Sequence, residues 1–425
     1  MGAAWRLLGG DRDLRLLLSA GLVSISGDWI LLIGLLYRVY AMTGSTVASA
    51  LTVLSASVPP VLLGTVAGMF ADRWDRRRTM IIADVLMAAG MLPLLAVHDR
   101  GQVWIVFAVL LGVGSVEQFF IPAQQAMIPR LVRDDQLLTA NALNGQVRDV
   151  ARLAGSGLGG VIAAAGGLAA VTLADSASFA VSAIMLALVR TSGRMDRARA
   201  GSLRERLAGM GRELRSGVRL TVRHRYLRAL MIFVLVTGVG QGIFSTLFTP
   251  FLEHVLHASS REFGLVSAAQ GAGGIIGGLL AVWLSQRVPA TRLFCWGAVA
   301  FGAVDLAIAL YPLGYATIWP AFILMLVVGL PSALVLAGLM TLLQRHSEDA
   351  YRGRVFGTLG TVEGLAMLSG TLAGGYLGQA TGIIAMFAVQ GAGYVLAGLG
   401  MLAWLAGSGP QTSPVGPQAR VSGLG

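Results

Sequence analysis

The sequence predicts an all-α polytopic membrane protein with twelve transmembrane helices in two pseudo-symmetric six-helix halves. Of its 425 residues, 55% are hydrophobic and only 12% are charged, and the mean hydropathy is +0.73. That is more apolar surface than a soluble core of this size buries. A helix needs about 20 residues to cross a bilayer core of about 30 Å, and the chain supplies twelve such apolar stretches. A third observation is that most arginines lie in alternate breaks between these stretches.

The apolar stretches follow one another in two groups of six, separated by one long polar break. We expect the first half at residues 1–190 and the second at 227–406, an arrangement typical of transporters with internal repeats. The predicted spans lie near residues 13–37, 46–70, 79–97, 102–125, 138–165, 168–190, 227–251, 262–284, 291–311, 316–343, 354–378 and 383–406.

The distribution of arginine predicts the orientation of the chain. One set of alternate loops is rich in arginine, whereas the other set holds little beyond Arg100 and Arg261. The positive-inside rule therefore places both termini in the cytoplasm. The first apolar segment leads directly into the others, so we expect it to be retained. The arginines of the rich side are Arg73, Arg76, Arg77, Arg78, Arg130, Arg133, those from Arg190 to Arg228, Arg287, Arg345, Arg352 and Arg354.

Two polar segments lie outside the predicted spans. The basic linker at 191–226 has apolar residues at three- and four-residue intervals, which favours an amphipathic helix on the cytoplasmic membrane surface. A solvated linker is the alternative. The tail at 407–425 is rich in Gly, Pro and Ser and is predicted to be disordered.

Composition excludes several classes of function. The net charge of +11 does not predict nucleic-acid binding, because the arginines lie in alternate loops rather than on one soluble face. All 32 basic residues are arginine, and a phosphate-binding loop needs a lysine, so an ion gradient is the expected energy source, with no cofactor. Glu253, His254 and His257 resemble a metal site only in spacing. We interpret them as interfacial polar residues and predict no metal.

A basic cluster between the second and third spans carries a recognisable pattern. Gly68 is followed after three residues by Asp72 and Arg73, and after two more by the pair Arg76 and Arg77. Such a charged segment must leave the hydrocarbon and turn back within a few residues. The pattern resembles the signature loop after the second helix of the major facilitator superfamily.

Three further stretches resemble one branch of that superfamily. Residues 122–143 are similar to the end of helix four and the start of helix five in exporters related to enterobactin and macrolide efflux proteins. Residues 155–160 resemble the antiporter motif of helix five, with Ser156 in the place of proline, and residues 352–355 match the entry to helix eleven. The resemblance to these transmembrane secretion effector-like proteins implies the major facilitator fold.

The same resemblance implies which residues control the conformational change. Asp72 should lie against the start of helix eleven, near Arg352 and Arg354, while the cytoplasmic side is closed. Helix five should meet helix eight at the interface between the halves, where small residues let helices approach and slide. Ordinary tight packing without motion is the alternative. The glycines expected there are Gly155, Gly159, Gly160, Gly274 and Gly278.

Ionisable residues within spans are costly and indicate functional sites. Asp28 lies midway along the first span and is the leading candidate for a proton or substrate site, with structural pairing as the alternative. Glu363 and Asp305 are further isolated acids in the second half. Asp84 and Asp175 lie nearer predicted helix ends, and we interpret them as structural.

Charged residues of helices four and five form a second candidate group. Asp149 and Arg152 are three residues apart and can pair on one helix face, which leaves Arg148 to meet Glu117 or an anionic ligand. This group is consistent with a cytoplasmic gate. A structural network within the first half is equally consistent with the spacing.

The predicted function is export of an amphipathic small molecule, such as a drug, macrolide or siderophore, by proton antiport. We expect a monomer in the bacterial cytoplasmic membrane, in contact with membrane lipids, and no enzymatic activity. One alternative is a lysophospholipid transporter on the same fold. Another is a non-transporting membrane sensor or scaffold.

Overall fold

The computed structural model of the chain describes residues 7, 9–71, 74–133, 136–191, 218–219, 221–285, 287–347 and 352–406. Over these residues, eleven helical stretches are long and apolar enough to cross a membrane. The uninterrupted ones are α1 (Arg12–Thr43), α2 (Thr46–Ala71), α3 (Arg76–Met91), α4 (Val103–Leu131), α7 (Arg225–Pro250), α8 (Ser260–Ser285), α9 (Ala290–Leu310), α10 (Ile318–His346), α11 (Arg352–Thr381) and α12 (Ile383–Ala406).

The remaining stretch, Leu137–Leu188, contains two helices. Its 52 residues would extend about 78 Å as one helix, more than twice the thickness of a bilayer core. Gly167 interrupts it with φ of 60° and ψ of −151°, in the left-handed half of the Ramachandran map that glycine adopts readily. We call the two helices α5 (137–166) and α6 (168–188). The predicted break between spans five and six is confirmed, and the described residues form twelve helices that could span a membrane.

The helices pack with a two-fold pseudo-symmetry. The α1 helix packs against the α5–α6 pair as α7 packs against α11 and α12. In the same way, α2 contacts α4 as α8 contacts α10, and α3 contacts α6 as α9 contacts α12. The two halves meet through α2 with α11 and α5 with α8. This is the predicted arrangement of two related six-helix halves.

The two ends of the bundle differ in charge. We call the end that carries Arg76, Arg130, Arg190, Arg287 and Arg345 the arginine-rich end, and the other the opposite end. A short loop turns the chain at the arginine-rich end, where the Asp75 side chain accepts a hydrogen bond of 3.0 Å from the backbone N–H of Arg78. This N-cap stabilises the start of α3 immediately after the loop.

The halves are in close contact at the opposite end. A Cβ added to Gly160 of α5 would lie 2.6 Å from the Ser260 carbonyl oxygen of α8. Between α2 and α11, the Thr46 hydroxyl donates a hydrogen bond of 2.7 Å to the Gly375 carbonyl, and a Cβ on Gly375 would lie 2.5 Å from that of Ala50. No side chain fits at these two glycines.

The halves separate toward the arginine-rich end. Along α8, a Cβ on Gly274 would have its nearest neighbour at 3.9 Å, and one on Gly278 would have none within 4 Å. Along α11, Gly360 and Gly357 also face open space. The structure therefore opens at the arginine-rich end and is closed at the opposite end.

Two of the five predicted interface glycines lie elsewhere. Gly155 and Gly159 face α1, where an added Cβ would lie 2.5 Å from the Ser26 carbonyl and 2.9 Å from that of Ile30. We expected them to lie between the halves, and this expectation is wrong. Residues four apart share one face of α5, so Gly155 and Gly159 both face α1, whereas Gly160, one residue further, faces α8. Most of the linker (192–217) and the tail (407–425) lie outside the described residues.

Candidate functional site

A cavity of about 410 Å³ opens in the first half and is lined by α1 to α5. Five charged residues of the sequence prediction lie on its wall: Asp28, Glu117, Arg148, Asp149 and Arg152. Each stands near the middle of its helix, so the cavity lies near the middle of the bundle. The structure therefore joins the two predicted groups, which the sequence treated separately, into one site.

Apolar side chains form the rest of the wall. Ile25 and Leu32 lie one turn on either side of Asp28 on α1, and Leu110 and Val113 precede Glu117 on α4. Carboxylates and guanidinium groups set in apolar walls suit a ligand with an apolar body and a polar or charged group.

The carboxylates of this site lie within electrostatic range of one another. The carboxyls of Asp175, Glu117 and Asp84 all lie within electrostatic range of Asp28. Glu117 in turn interacts with Arg148. Like charges at close range repel in a low-dielectric interior, so a proton or a cationic group between Asp28 and Glu117 would relieve their repulsion, while Arg148 and Arg152 add positive charge to the same wall.

The expected ion pair between Asp149 and Arg152 is not formed in this conformation. Among the described residues, a salt bridge within 4.0 Å joins Arg12 to Asp13, and none joins Arg152 to Asp149. Both Asp149 and Arg152 are exposed toward the open cavity. Water at such a site weakens the attraction that would hold the pair.

Asp175 lies directly behind Asp28 and was interpreted as structural from the sequence. A Cβ added to Gly27 would lie 2.6 Å from Asp175 Oδ1, so the α6 carboxyl lies against the α1 backbone beside Asp28. Asp175 is fully buried. The Ser178 hydroxyl donates to the Asp175 backbone carbonyl at 2.8 Å and lies 3.4 Å from Oδ1, while Oδ2 has no hydrogen-bond partner among the described residues.

Asp84 of α3 is a second buried carboxyl of the same half. It is fully buried, and the Ser182 hydroxyl is close enough to interact with it. The geometry nevertheless leaves both Asp84 oxygens without a hydrogen bond in the described part of the chain. Asp84 lies within α3 and Asp175 within α6, so both carboxyls belong to the packed helices and not to the loops.

The predicted gating residues of the basic loop are only partly described. Arg76 donates from Nη1 to the Ala126 carbonyl of α4 at 2.7 Å. Arg77 donates to the Leu186 carbonyl of α6 at 3.1 Å and to that of the next residue. Both arginines therefore hold α3 within its own half. Gly68 belongs to α2, whereas Asp72, Arg73 and the side chains of Arg352 and Arg354 lie outside the described residues.

The two candidate acids of the second half do not line this cavity. Asp305 of α9 is 2% exposed and accepts a hydrogen bond of 2.6 Å from Gln390 Nε2 of α12. Glu363 is exposed on α11, and the following residue, Gly364, meets Val61 of α2. Asp305 therefore joins two helices, and Glu363 lies beside the contact between the halves.

A second cavity, of about 460 Å³, lies at the opposite end of the bundle. Its lining comes from both halves and includes Tyr40, Glu253, His254 and His257. A π-helical turn at Phe251–Val255 carries Glu253, and His257 has a φ of 53°. Local π-helices and left-handed non-glycine residues are frequent at functional sites.

Comparison with known proteins identifies the family of this chain. The multidrug efflux pump Tap of Mycobacterium tuberculosis is 28% identical over 404 residues, covering 90% of this chain and 91% of that protein. Macrolide efflux protein A of Streptococcus pyogenes is 23% identical over 373 residues, covering 87% and 90%.

The fold has close counterparts among solved structures. The crystal structure of a bacterial homologue of the iron transporter ferroportin, in an inward-facing state, superposes with a TM-score of 0.73 at 17% identity and covers 92% of this chain and 98% of that one. The family model described as transmembrane secretion effector matches residues 11–408. The chain therefore belongs to the transmembrane secretion effector family of the major facilitator superfamily.

Proposed function

We propose that this protein exports amphipathic small molecules with a basic group, in exchange for protons, across a bacterial cytoplasmic membrane. The observation that carries the proposal is the cavity near mid-bundle, in which Asp28 and Glu117 lie among apolar side chains. Efflux pumps for macrolides and several drugs are among the relatives, which supports export as the direction.

The arginine-rich end is proposed to face the cytoplasm, in accordance with the positive-inside rule. The conformation described above, open at that end, is then the state that takes up substrate from the cytoplasm. The cavity at the opposite end, which contains Glu253, lies on the route by which substrate leaves and protons enter.

The proposed exchange uses competition for the same carboxylates. In the cytoplasm-open state, Asp28 releases a proton to the cytoplasm, and the basic group of a substrate takes its place beside Asp28 and Glu117. After the halves change position, protons from outside bind these acids and displace the substrate. Either occupant offsets the negative charge of Asp28, so neither the loaded nor the protonated form leaves that carboxylate uncompensated within the membrane.

Asp175 is proposed to assist this exchange from behind Asp28. Two interacting carboxyls release protons in steps that belong to the pair, so a neighbouring buried acid such as Asp175 influences when Asp28 exchanges its proton. Asp175 is a positioning residue here, because α1 separates it from the cavity.

The proposal is tested in inverted membrane vesicles that contain the overproduced protein. With an acidic lumen established, addition of a basic macrolide should dissipate the pH gradient, as reported by recovery of a quenched acridine dye. A neutral amphipathic compound of similar size should have little effect. Gradient loss that is equal in vesicles without the protein, or substrate uptake that persists after an uncoupler, would contradict proton antiport. Uptake of labelled lysophospholipid alone would favour lipid transport instead.

A further inference from the structure

An apolar groove on the outer surface of the second half has no role in the proposed transport cycle. It has a volume of about 450 Å³ and lies between α7 and α12. Its sides include Ile232, which is 56% exposed, and Leu396, which is 68% exposed, so the groove is open to the surrounding lipid. Phe233 forms part of its floor and packs edge-to-face on Phe294, with ring centroids 4.5 Å apart.

The groove exists because small residues follow one face of α12. Gly393, Ala397 and Gly400 are spaced at four and three residues, so they lie on the same side of the helix. A Cβ on Gly400 would have no neighbour within 4 Å. The missing side chains leave a channel along the α7–α12 seam.

The groove extends over the depth of one membrane leaflet. It begins at Trp404, near the arginine-rich end, and reaches Gly393. The eleven residue steps from Gly393 to Trp404 correspond to about 16 Å of helix, which is half of a bilayer core of about 30 Å. A groove of this length and apolarity fits a single acyl chain that runs from the interface to the bilayer centre.

Positive charge lies at the interfacial end of the groove. The Arg225 guanidinium is exposed and stands 4.7 Å from the ring centroid of Trp404. Arg228, one turn further along α7, is also exposed. Within the described residues neither arginine is ion-paired with a carboxylate. Arginine binds phosphate oxygens in a bidentate manner, and tryptophan is typical of the membrane–water interface.

We infer that the α7–α12 groove binds an anionic phospholipid of the leaflet at the arginine-rich end, with one acyl chain in the groove and its phosphate at Arg225. Basic pockets between transmembrane helices favour anionic headgroups. A zwitterionic lipid offers the same acyl chain but brings an ammonium group toward the arginines. The groove provides affinity for any acyl chain, and Arg225 provides the preference for negative charge.

Native mass spectrometry of the purified full chain tests this site. The protein is exchanged into detergent with equal amounts of phosphatidylglycerol and phosphatidylcholine, and the retained lipid is counted. The wild type should retain one phosphatidylglycerol in preference to phosphatidylcholine. Arg225→Gln should reduce that preference about fivefold, the effect of losing one basic residue at an anionic surface. Gly400→Leu should fill the groove and reduce retention of both lipids.

Two control variants separate this site from general effects. Arg261→Gln removes an exposed arginine at the opposite end, and Gly112→Leu adds the same side chain at another glycine with open space around it. Both should retain lipid as the wild type does. Equal retention of the two lipids by the wild type, or an unchanged preference in Arg225→Gln, would overturn the inference. A dimer that Gly400→Leu abolishes would instead assign the groove to a second copy of the chain. None of these outcomes depends on export.

Discussion

Gly160 of α5 and Gly264 of α8 meet backbone to backbone at the opposite end of the bundle. A Cβ on Gly160 would lie 2.9 Å from the Cα of Gly264, and one on Gly264 would lie 2.8 Å from the Cα of Gly160. This contact exists only while the opposite end is closed. In the proposed transport cycle the two halves separate here, so we expect the equilibrium between the two states to depend on the absence of these two side chains.

Gly264→Val should therefore shift the protein away from the state described here. Overpacking a close contact costs about 1–3 kcal/mol, which corresponds to a population shift of about 5- to 150-fold. In the proposed transport cycle, the arginine-rich end closes when the opposite end opens. Spin labels at Asn141 and Arg287, both exposed at the arginine-rich end, should report a shorter mean distance in the variant.

The matched control for this experiment is Gly278→Val, on the same helix. A Cβ at Gly278 has no neighbour within 4 Å, so this variant should not disfavour the described state. If Gly264→Val leaves the distance distribution unchanged, or if Gly278→Val shortens it equally, the α5–α8 contact does not control the equilibrium.

The orientation of the bundle can be tested with single cysteines. Cys295 is fully buried, so the natural chain should give little background with an impermeant thiol reagent. Asp99→Cys, at the opposite end, should be labelled in intact cells. Arg287→Cys, at the arginine-rich end, should be labelled only after the membrane is permeabilised. Labelling of Arg287→Cys in intact cells would reverse the proposed orientation.

Asp84 of α3 and Asp305 of α9 are both buried, but their replacement by leucine should affect stability differently. Asp305 accepts a hydrogen bond of 2.6 Å from Gln390, so Asp305→Leu leaves a buried amide unpaired, at a cost of about 1–3 kcal/mol. Neither oxygen of Asp84 has a hydrogen bond among the described residues, so Asp84→Leu loses none. Thermal unfolding in detergent should show a lower midpoint for Asp305→Leu than for Asp84→Leu. The reverse order would mean that Asp84 has a stabilising partner.

Much of this fold could be predicted from the sequence, because lipid imposes a simple rule on length and polarity. Hydropathy located the spans, including the break that Gly167 provides between α5 and α6. The helix pairing could not be predicted from hydropathy. The contacts of helix two with helix eleven and of helix five with helix eight were predicted from the resemblance to the major facilitator superfamily.

The candidate site was predicted less completely, for a physical reason. Asp28 and Glu117 were identified because a charge within a span is costly wherever it faces. The sequence did not show that Asp175 lies behind Asp28, because helices buried in protein on one side and lipid on the other are apolar all round and lack a clear periodicity. Gly155 and Gly159 were assigned to the wrong interface for a similar reason, since glycine carries no polarity that marks the face of a helix.

Asp28→Asn should abolish proton-coupled export while substrate still binds. The amide keeps the shape of the side chain and its place on the cavity wall, but it cannot release a proton. In inverted vesicles, the variant should therefore accumulate substrate no faster than protein-free vesicles under a pH gradient, while equilibrium binding to the purified protein is weakened but still measurable. The control is Asp305→Asn, which makes the same change at a buried acid outside the cavity and should retain transport. Wild-type transport by Asp28→Asn, or equal loss in both variants, would exclude Asp28 as the coupling residue.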